Sequence, residues 1–304
     1  MRGLLILSAL VATAGCELAE VTVAAPEEIF IAEVQFTIVD GAAKGVAVLH
    51  RTAGFGATPI PDAVIRVRDA SGAEAFFRRG LASECLDPLP SAELTFSCHV
   101  LDGATASDLL HYRATLDVEV KFTGGGELSG RVVVPGDFEL VTPAQNECVL
   151  APGTVLGMEW TPAPGTWAYL PEAEITGLRE ALEPVGVDLP LDPLILQGLS
   201  ISEEDTSIQF PTGFGLFDRF SGDTDLLLAL RDGLPAGTSA HVLVSALERN
   251  AVNWLRGGDF NPSGQVRIPS LFGDGIGVVG ATVIRTVRVR VENSGEGLPA
   301  CGGP

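Results

Sequence analysis

Five cysteines carry the clearest chemistry in this chain: Cys16, Cys85, Cys98, Cys148 and Cys301. In an exported protein thiols pair, and the four that follow Cys16 make an even set with three possible pairings. Cys85 and Cys98 would close a short loop. Cys148 with Cys301 would tie the start of the second half to the tail Ala300-Cys301-Gly302-Gly303. These two disulfides are the expectation. Zinc is the competing use, but there is no C-x-x-C, and His50, His99, His111 and His241 are scattered. Asp218, Asp223 and Asp225 lie close together without the spacing of a calcium loop. No metal and no cofactor is expected. G-x-S-x-G and H-E-x-x-H are absent, so no nucleophile elbow or zinc-protease helix is encoded. The 39 acidic residues leave room for a glycosidase pair, which needs two carboxyl groups about 5 to 10 Å apart.

Cys16 stands apart because of what precedes it. Arg2 supplies one positive charge, Leu4 to Ala12 is an apolar run, and small residues lead to the cysteine. That is the layout of a secretory leader, and the run is too short to span a bilayer. Thr13-Ala14-Gly15-Cys16 resembles a bacterial lipobox, with Thr13 where Leu is usual. The resemblance implies cleavage before Cys16 and acylation of its thiol, giving an outer-membrane lipid anchor on the periplasmic or surface face. Ala12-Thr13-Ala14 is itself an A-x-A cleavage site, so ordinary secretion is the other reading.

Two glycine motifs invite a phosphate reading and fail it. Gly124-Gly125-Gly126 is followed by no helix and no Lys-Ser/Thr pair. Gly275-Ile276-Gly277-Val278-Val279-Gly280 matches G-x-G-x-x-G, but Val283, Val287, Val289 and Val291 alternate with Arg288 and Arg290 behind it. That is a strand, where a dinucleotide needs a helix N-terminus. The glycines are expected to form a close turn into the last strand. The formal charge is −20, and loss of Arg2 with the leader makes it −21. Such a surface repels nucleic acid, which is excluded as a partner.

The elements that must hold these residues read as strands. Phe30, Ala32, Val34, Phe36 and Ile38 alternate with Glu33, Gln35 and Thr37, and Asp40-Gly41 ends the run. Ala63, Ile65 and Val67 alternate with Arg66 and Arg68, and Asp69 to Gly72 turns the chain toward Ala75 to Arg78. Leu94, Phe96, Cys98 and Val100 alternate, and so do the apolar positions from Tyr112 to Phe122. The three glycines after Phe122 lead into Leu128 to Val134. With 36 Gly and 20 Pro, the pattern is mainly all-β with short helical insertions.

The expected organisation is a leader over 1–15, a tether over 16–25, a β-sandwich over 26–140, a second β-sandwich over 147–293 and a glycine-rich tail over 294–304. Helices are expected near 172–183, from Ile175, Leu178 and Leu182, and near 247–256, from Leu247, Ala251, Trp254 and Leu255. Phe214, Phe217 and Phe220 crowd one loop, where burial would make them plugs and exposure a binding patch.

Pro59 to Gly72 resembles the Ig/transthyretin-like modules of secreted proteins, and Val155 to Trp160 resembles an early fibronectin-like core strand. The whole order is similar to a domain-of-unknown-function family of bacterial outer-membrane lipoproteins. That order is a lipidated cysteine, a sandwich containing P-I-P-D-A-V-I-R-V-R-D-A-S-G, then Met158-Glu159-Trp160, then a closing block over Val266 to Ala281. The chain departs in that block: Pro269 to Phe272 lacks the usual Asn, and Val279 stands where Phe is usual. Members are often encoded beside TonB-dependent receptors. The resemblance implies a membrane-tethered, non-enzymatic accessory protein with an outer-membrane receptor as partner, and it carries over no catalytic residues. The alternative is an exported hydrolase acting on glycan or peptide.

Overall fold

The computed structural model describes residues 29–51, 62–86, 95–198, 200, 202–216, 223–256, 268–293 and 297–302. The leader, Cys16, the tether, Phe217, Asp218 and Phe220 lie outside the described residues. The protein is mainly β, with short helices between strands.

In the first half come β1 (Phe30–Val39), β2 (Ala42–Arg51), β3 (Ala63–Asp69), β4 (Glu74–Phe76) and β5 (Arg78–Arg79). Then follow α1 (Ala82–Cys85), β6 (Phe96–Leu101), α2 (Gly103–Leu109), β7 (Thr115–Phe122) and β8 (Glu127–Val133). Burial alternates along β1: Ala32, Val34, Phe36 and Ile38 are interior, and the residues between them are not. Asp40 and Gly41 both take positive φ, at 46° and 89°, joining Val39 to Ala42 in a two-residue turn that matches strand twist. Gly124, Gly125 and Gly126 likewise take positive φ between β7 and β8. Helix α2 was not legible: its Ala106 and Leu109 are buried, but seven residues give too little periodicity to see.

The second half holds β9 (Leu140–Thr142), β10 (Glu147–Leu150), β11 (Leu156–Trp160), β12 (Ala168–Thr176), α3 (Leu178–Leu182), β13 (Leu194–Gln197) and β14 (Ser207–Phe210). After these come α4 (Asp223–Ala229), β15 (Ser239–Leu247), α5 (Arg249–Arg256), β16 (Leu271–Gly273) and β17 (Gly275–Val291). The expected helix over 172–183 is corrected. Residues 172–176 belong to strand β12, with Tyr169, Pro171, Ala173 and Ile175 buried in alternation. Gly177, at φ 80°, ends the strand, and helix α3 has only five residues. Ile175, Leu178 and Leu182 are all buried, but their spacing runs across that break. Pro171 lies opposite Val244 of β15, and its carbonyl accepts the Gly198 N–H at 2.8 Å just beyond the end of β13. The helix expected near 247–256 is present as α5.

Strand β17 organises the molecule. β1 pairs with it in parallel from Gly275 to Ile284, and β10 continues that side from Arg288 to Val291. On its other side β16 pairs with Ile276 and Gly277, and β15 pairs from Thr282 to Arg290. One sheet therefore runs from β4 through β3, β7, β8, β16, β17, β1, β2 and β6 to β5, with β10, β15, β12 and β13 joined on through β17. Strands β14, β11 and β9 form a smaller sheet. Strand pairing thus crosses the sequence boundary expected between 26–140 and 147–293.

Gly275 to Gly280 forms no turn into the last strand. It is the first part of that strand. A Cβ on Gly275 or Gly277 would strike the backbone carbonyls of Phe30 or Ala32, so β1 lies against bare backbone there. The interior is continuous across the molecule, from Phe36, Ile65 and Leu116 to Tyr169, Val242 and Val289. Phe138 and Trp160 meet the Tyr169 ring edge-on at 5.9 and 5.3 Å, and the Tyr169 hydroxyl accepts the Ala163 N–H at 2.7 Å.

Candidate binding face

Cys85 on α1 and Cys98 on β6 form a disulfide with Cα atoms 5.8 Å apart. Cys148 on β10 and Cys301 form the second, with Cα atoms 4.8 Å apart. The second bond sits beside a backbone pairing. Val149 donates its N–H to Pro299 O at 2.8 Å, and Cys301 donates to Val149 O at 2.9 Å. The tail therefore covers the outer edge of β10, which would otherwise offer unpaired amides.

The histidines do not converge. His50 lies 3.6 Å from Glu33, His111 is exposed, and His241 faces out from β15. His99 Nε2 lies 3.2 Å from Ser97 Oγ, two residues away on the same strand. The sequence did not mark this contact as a nucleophile–base pair. Both residues are 3% exposed, and desolvation, then Arg79, pushes the imidazole pKa down. A buried, proton-poor histidine beside a buried serine is a satisfied core contact. Asp223 and Asp225 form the first turn of α4. Among the described residues no group of three or more His, Cys, Asp or Glu comes together. Phe214 is buried, with its ring edge-on to Phe210 at 5.4 Å.

Where polar and apolar side chains do come together is the outward face of β4, β3, β7, β8 and β16. Strand alternation sends Val64, Arg66 and Arg68 outward from β3, and Asp117, Glu119 and Lys121 outward from β7. Register then stacks them into rungs. One runs Phe76, Arg66, Glu119, Ser129, Phe272. Beside it run Glu74, Arg68, Asp117, Arg131 and, on the other flank, Val64, Lys121, Glu127.

Opposite charges meet across the strands. Arg131 takes Asp117 in a two-pronged contact at 2.7 and 3.0 Å. Arg66 reaches Glu119 at 2.8 Å, and Glu119 also holds Lys121 at 3.0 Å. Arg68 reaches Glu74 at 3.1 Å. The hydrogen bond from Arg131 lowers the pKa of Asp117, and Lys121 leads the groups that lower Glu119. A groove of about 430 Å³ lies between Arg66, Arg68, Asp117, Glu119, Ser129 and Arg131. At its ends Phe76 and Phe272 are 55% and 58% exposed, and Val64 is 55% exposed. Lone exposed apolar residues are ordinary, but two Phe rings on one rung of a fixed ion-pair lattice form a surface with both apolar and polar handles.

No protein-family model matches the chain, and no curated protein matches it. Among solved structures, a DUF4785 family protein from Legionella pneumophila subsp. pneumophila str. Philadelphia 1 is similar at 9% identity and a TM-score of 0.21. The match covers 71% of this chain and half of that one, so this chain spans about half the length of the protein it matches. At that TM-score the likeness carries no argument about function.

The sequence showed the polar half of this face in the alternations of β3 and β7. It did not show Phe76 and Phe272 on one rung, because β16 reaches the sheet from near the far end of the chain. A short strand with a single outward side chain leaves no periodic signal.

Proposed function

We propose that this protein is a lipid-anchored, non-enzymatic binding or accessory module of the cell envelope, carried on an Ig/transthyretin-like and then a fibronectin-like sandwich. The face of β4, β3, β7, β8 and β16 is the observation that supports binding. Its ion pairs are already formed, so a partner meets fixed donors and acceptors, and Phe76, Phe272 and Val64 supply apolar area. Export is supported by the two disulfides, which persist in oxidising compartments. Lipidation at Cys16 rests on the lipobox resemblance, and the partner that the family resemblance points to is a TonB-dependent outer-membrane receptor.

The hydrolase reading would draw on the Ser97–His99 contact. Neither residue faces solvent, and among the described residues no carboxylate is hydrogen-bonded to the imidazole to orient the ring. A glycosidase acid must hold its proton, and among the described residues the carboxyl group that burial pushes upward is Glu248. It is buried, and its oxygens accept the Asn250 and Ala251 N–H groups.

Affinity purification from detergent-solubilised outer membranes tests the proposal. The wild type is expected to bring down a membrane protein, and Phe76→Ser with Phe272→Ser is expected to lose it. Recovery of the protein alone, with hydrolysis of an envelope glycan or peptide, would replace this reading with the enzyme.

A further inference from the structure

Strands β12, β15 and β17 share a second outward face. Alternation sends Ile175, Ala240, Val242, Val287 and Val289 inward and the residues between them outward. At one end helix α5 covers this face, with Ala251 and Val252 packed on Ala168 and Leu247. At the other end the face is open and holds a groove of about 350 Å³. Ala240 and Val289, whose side chains point inward, form its floor.

Register sets what lines the groove. One rung runs Glu147, Arg288, His241, Glu174 across β10, β17, β15 and β12. The next runs Arg290, Ser239, Thr176. Part of this set is committed: Arg290 holds Glu147 at 2.7 Å, and Thr176 Oγ1 and Ser239 Oγ share a hydrogen bond at 2.8 Å. The rest is not. Among the described residues the side chains of Arg288, His241 and Glu174 have no hydrogen-bond or ion-pair partner. The arginine is the telling member. The chain has 39 acidic residues against 19 Lys and Arg, so carboxylates are in excess. Arg66, Arg68, Arg78, Arg79, Arg131 and Arg285 each hold one. Arg288 has Glu147 beside it in register, but Arg290 takes that carboxylate.

We propose that this groove binds a small zwitterion, with its anionic end on Arg288 and its ammonium end on Glu174. The two side chains carry opposite charge and stand on either side of His241, two strand spacings or about 10 Å apart at the backbone. A ligand of one sign satisfies one of them and meets its own sign at the other. A molecule carrying both signs meets each with its complement. The guanidinium fork matches the oxygens of a carboxylate or phosphate, and Glu174 accepts from an ammonium. His241 offers a donor and an acceptor between the two ends, and the Ser239 and Thr176 hydroxyls line one flank. The groove's volume is at the small end of the range for small-molecule sites. It lies on other strands than the face of β4, β3, β7, β8 and β16, so the proposal is independent of the binding reading above.

Calorimetric titration of the full chain tests it with two probes. Phosphoethanolamine offers phosphate and ammonium, and alanylalanine offers carboxylate and ammonium. At least one is expected to bind saturably, and the tighter of the two names the anionic group. Inorganic phosphate, acetate and ethanolamine, which carry one sign of charge each, are expected to bind about ten-fold more weakly or worse. Arg288→Gln and Glu174→Gln are each expected to weaken the zwitterion by about the same factor. Both side chains are exposed, so the melting temperature of each variant is expected to match the wild type and show that folding is intact. No saturable binding of either probe would overturn the proposal. So would inorganic phosphate binding as tightly as phosphoethanolamine, which marks a plain anion site, or unchanged zwitterion binding by Glu174→Gln.

Discussion

Gly277 and Gly103 show how differently one residue type is used here. Gly277 lies in β17 opposite Ala32, whose carbonyl occupies the place a Cβ would need. Gly103 opens α2 with nothing within 4 Å of the same position. Gly277→Ala must force β1 and β17 apart and is expected to cost about 1 to 3 kcal/mol, the range for overpacking an interior. Gly103→Ala is expected to be neutral or to stabilise by up to about 1 kcal/mol, because only backbone entropy changes. Urea unfolding of the two variants beside the wild type measures both. Equal effects would mean that β1 does not lie against the glycine backbone as described.

At the scale of elements, legibility followed periodicity. β1, β3 and β7 were plain because each buries one face, so polar and apolar residues alternate. The start of β17 was hidden: Val278, Val279 and Ala281 are all buried, and the glycines add no side chain to alternate. β12 was hidden because Ile175, near its end, shares helical spacing with Leu178 and Leu182 of α3. The binding face was half legible for the same reason: Arg66 and Arg68 alternate with buried residues and the apolar positions of β7 mark the rest as outward, but cross-strand register decides what lies beside them.

The two disulfides act on elements of different reach. The Cys85–Cys98 bond spans 13 residues and the Cys148–Cys301 bond spans 153. In the chain-entropy model the short loop contributes about 3 kcal/mol and the long one about 5 kcal/mol. Cys148→Ser with Cys301→Ser also frees the tail from the edge of β10. It is expected to lower the melting temperature more than Cys85→Ser with Cys98→Ser. Calorimetry of the two double variants decides, and the reverse order would show that the tail contributes little.

For the whole molecule, placement and binding must agree. If Cys16 is acylated, Cys16→Ser is expected to move the protein from the membrane fraction to the soluble one, since stable attachment depends on its acyl chains. An unmodified N-terminus beginning at Gly15 in mass spectra of the mature protein would end the lipoprotein reading. Tethering matters to the binding account because it raises effective concentration near a fixed membrane partner and lets a modest interface suffice.

The central claim is that the face of β4, β3, β7, β8 and β16 meets a partner in the envelope. The most direct measurement is photo-crosslinking in intact cells from a reactive side chain placed at Phe272. The control is the same side chain at Val185, which is 69% exposed and lies just after α3. Phe272 is expected to give a discrete adduct with a membrane protein and Val185 none. No adduct from Phe272, or the same adduct from both positions, would contradict the account.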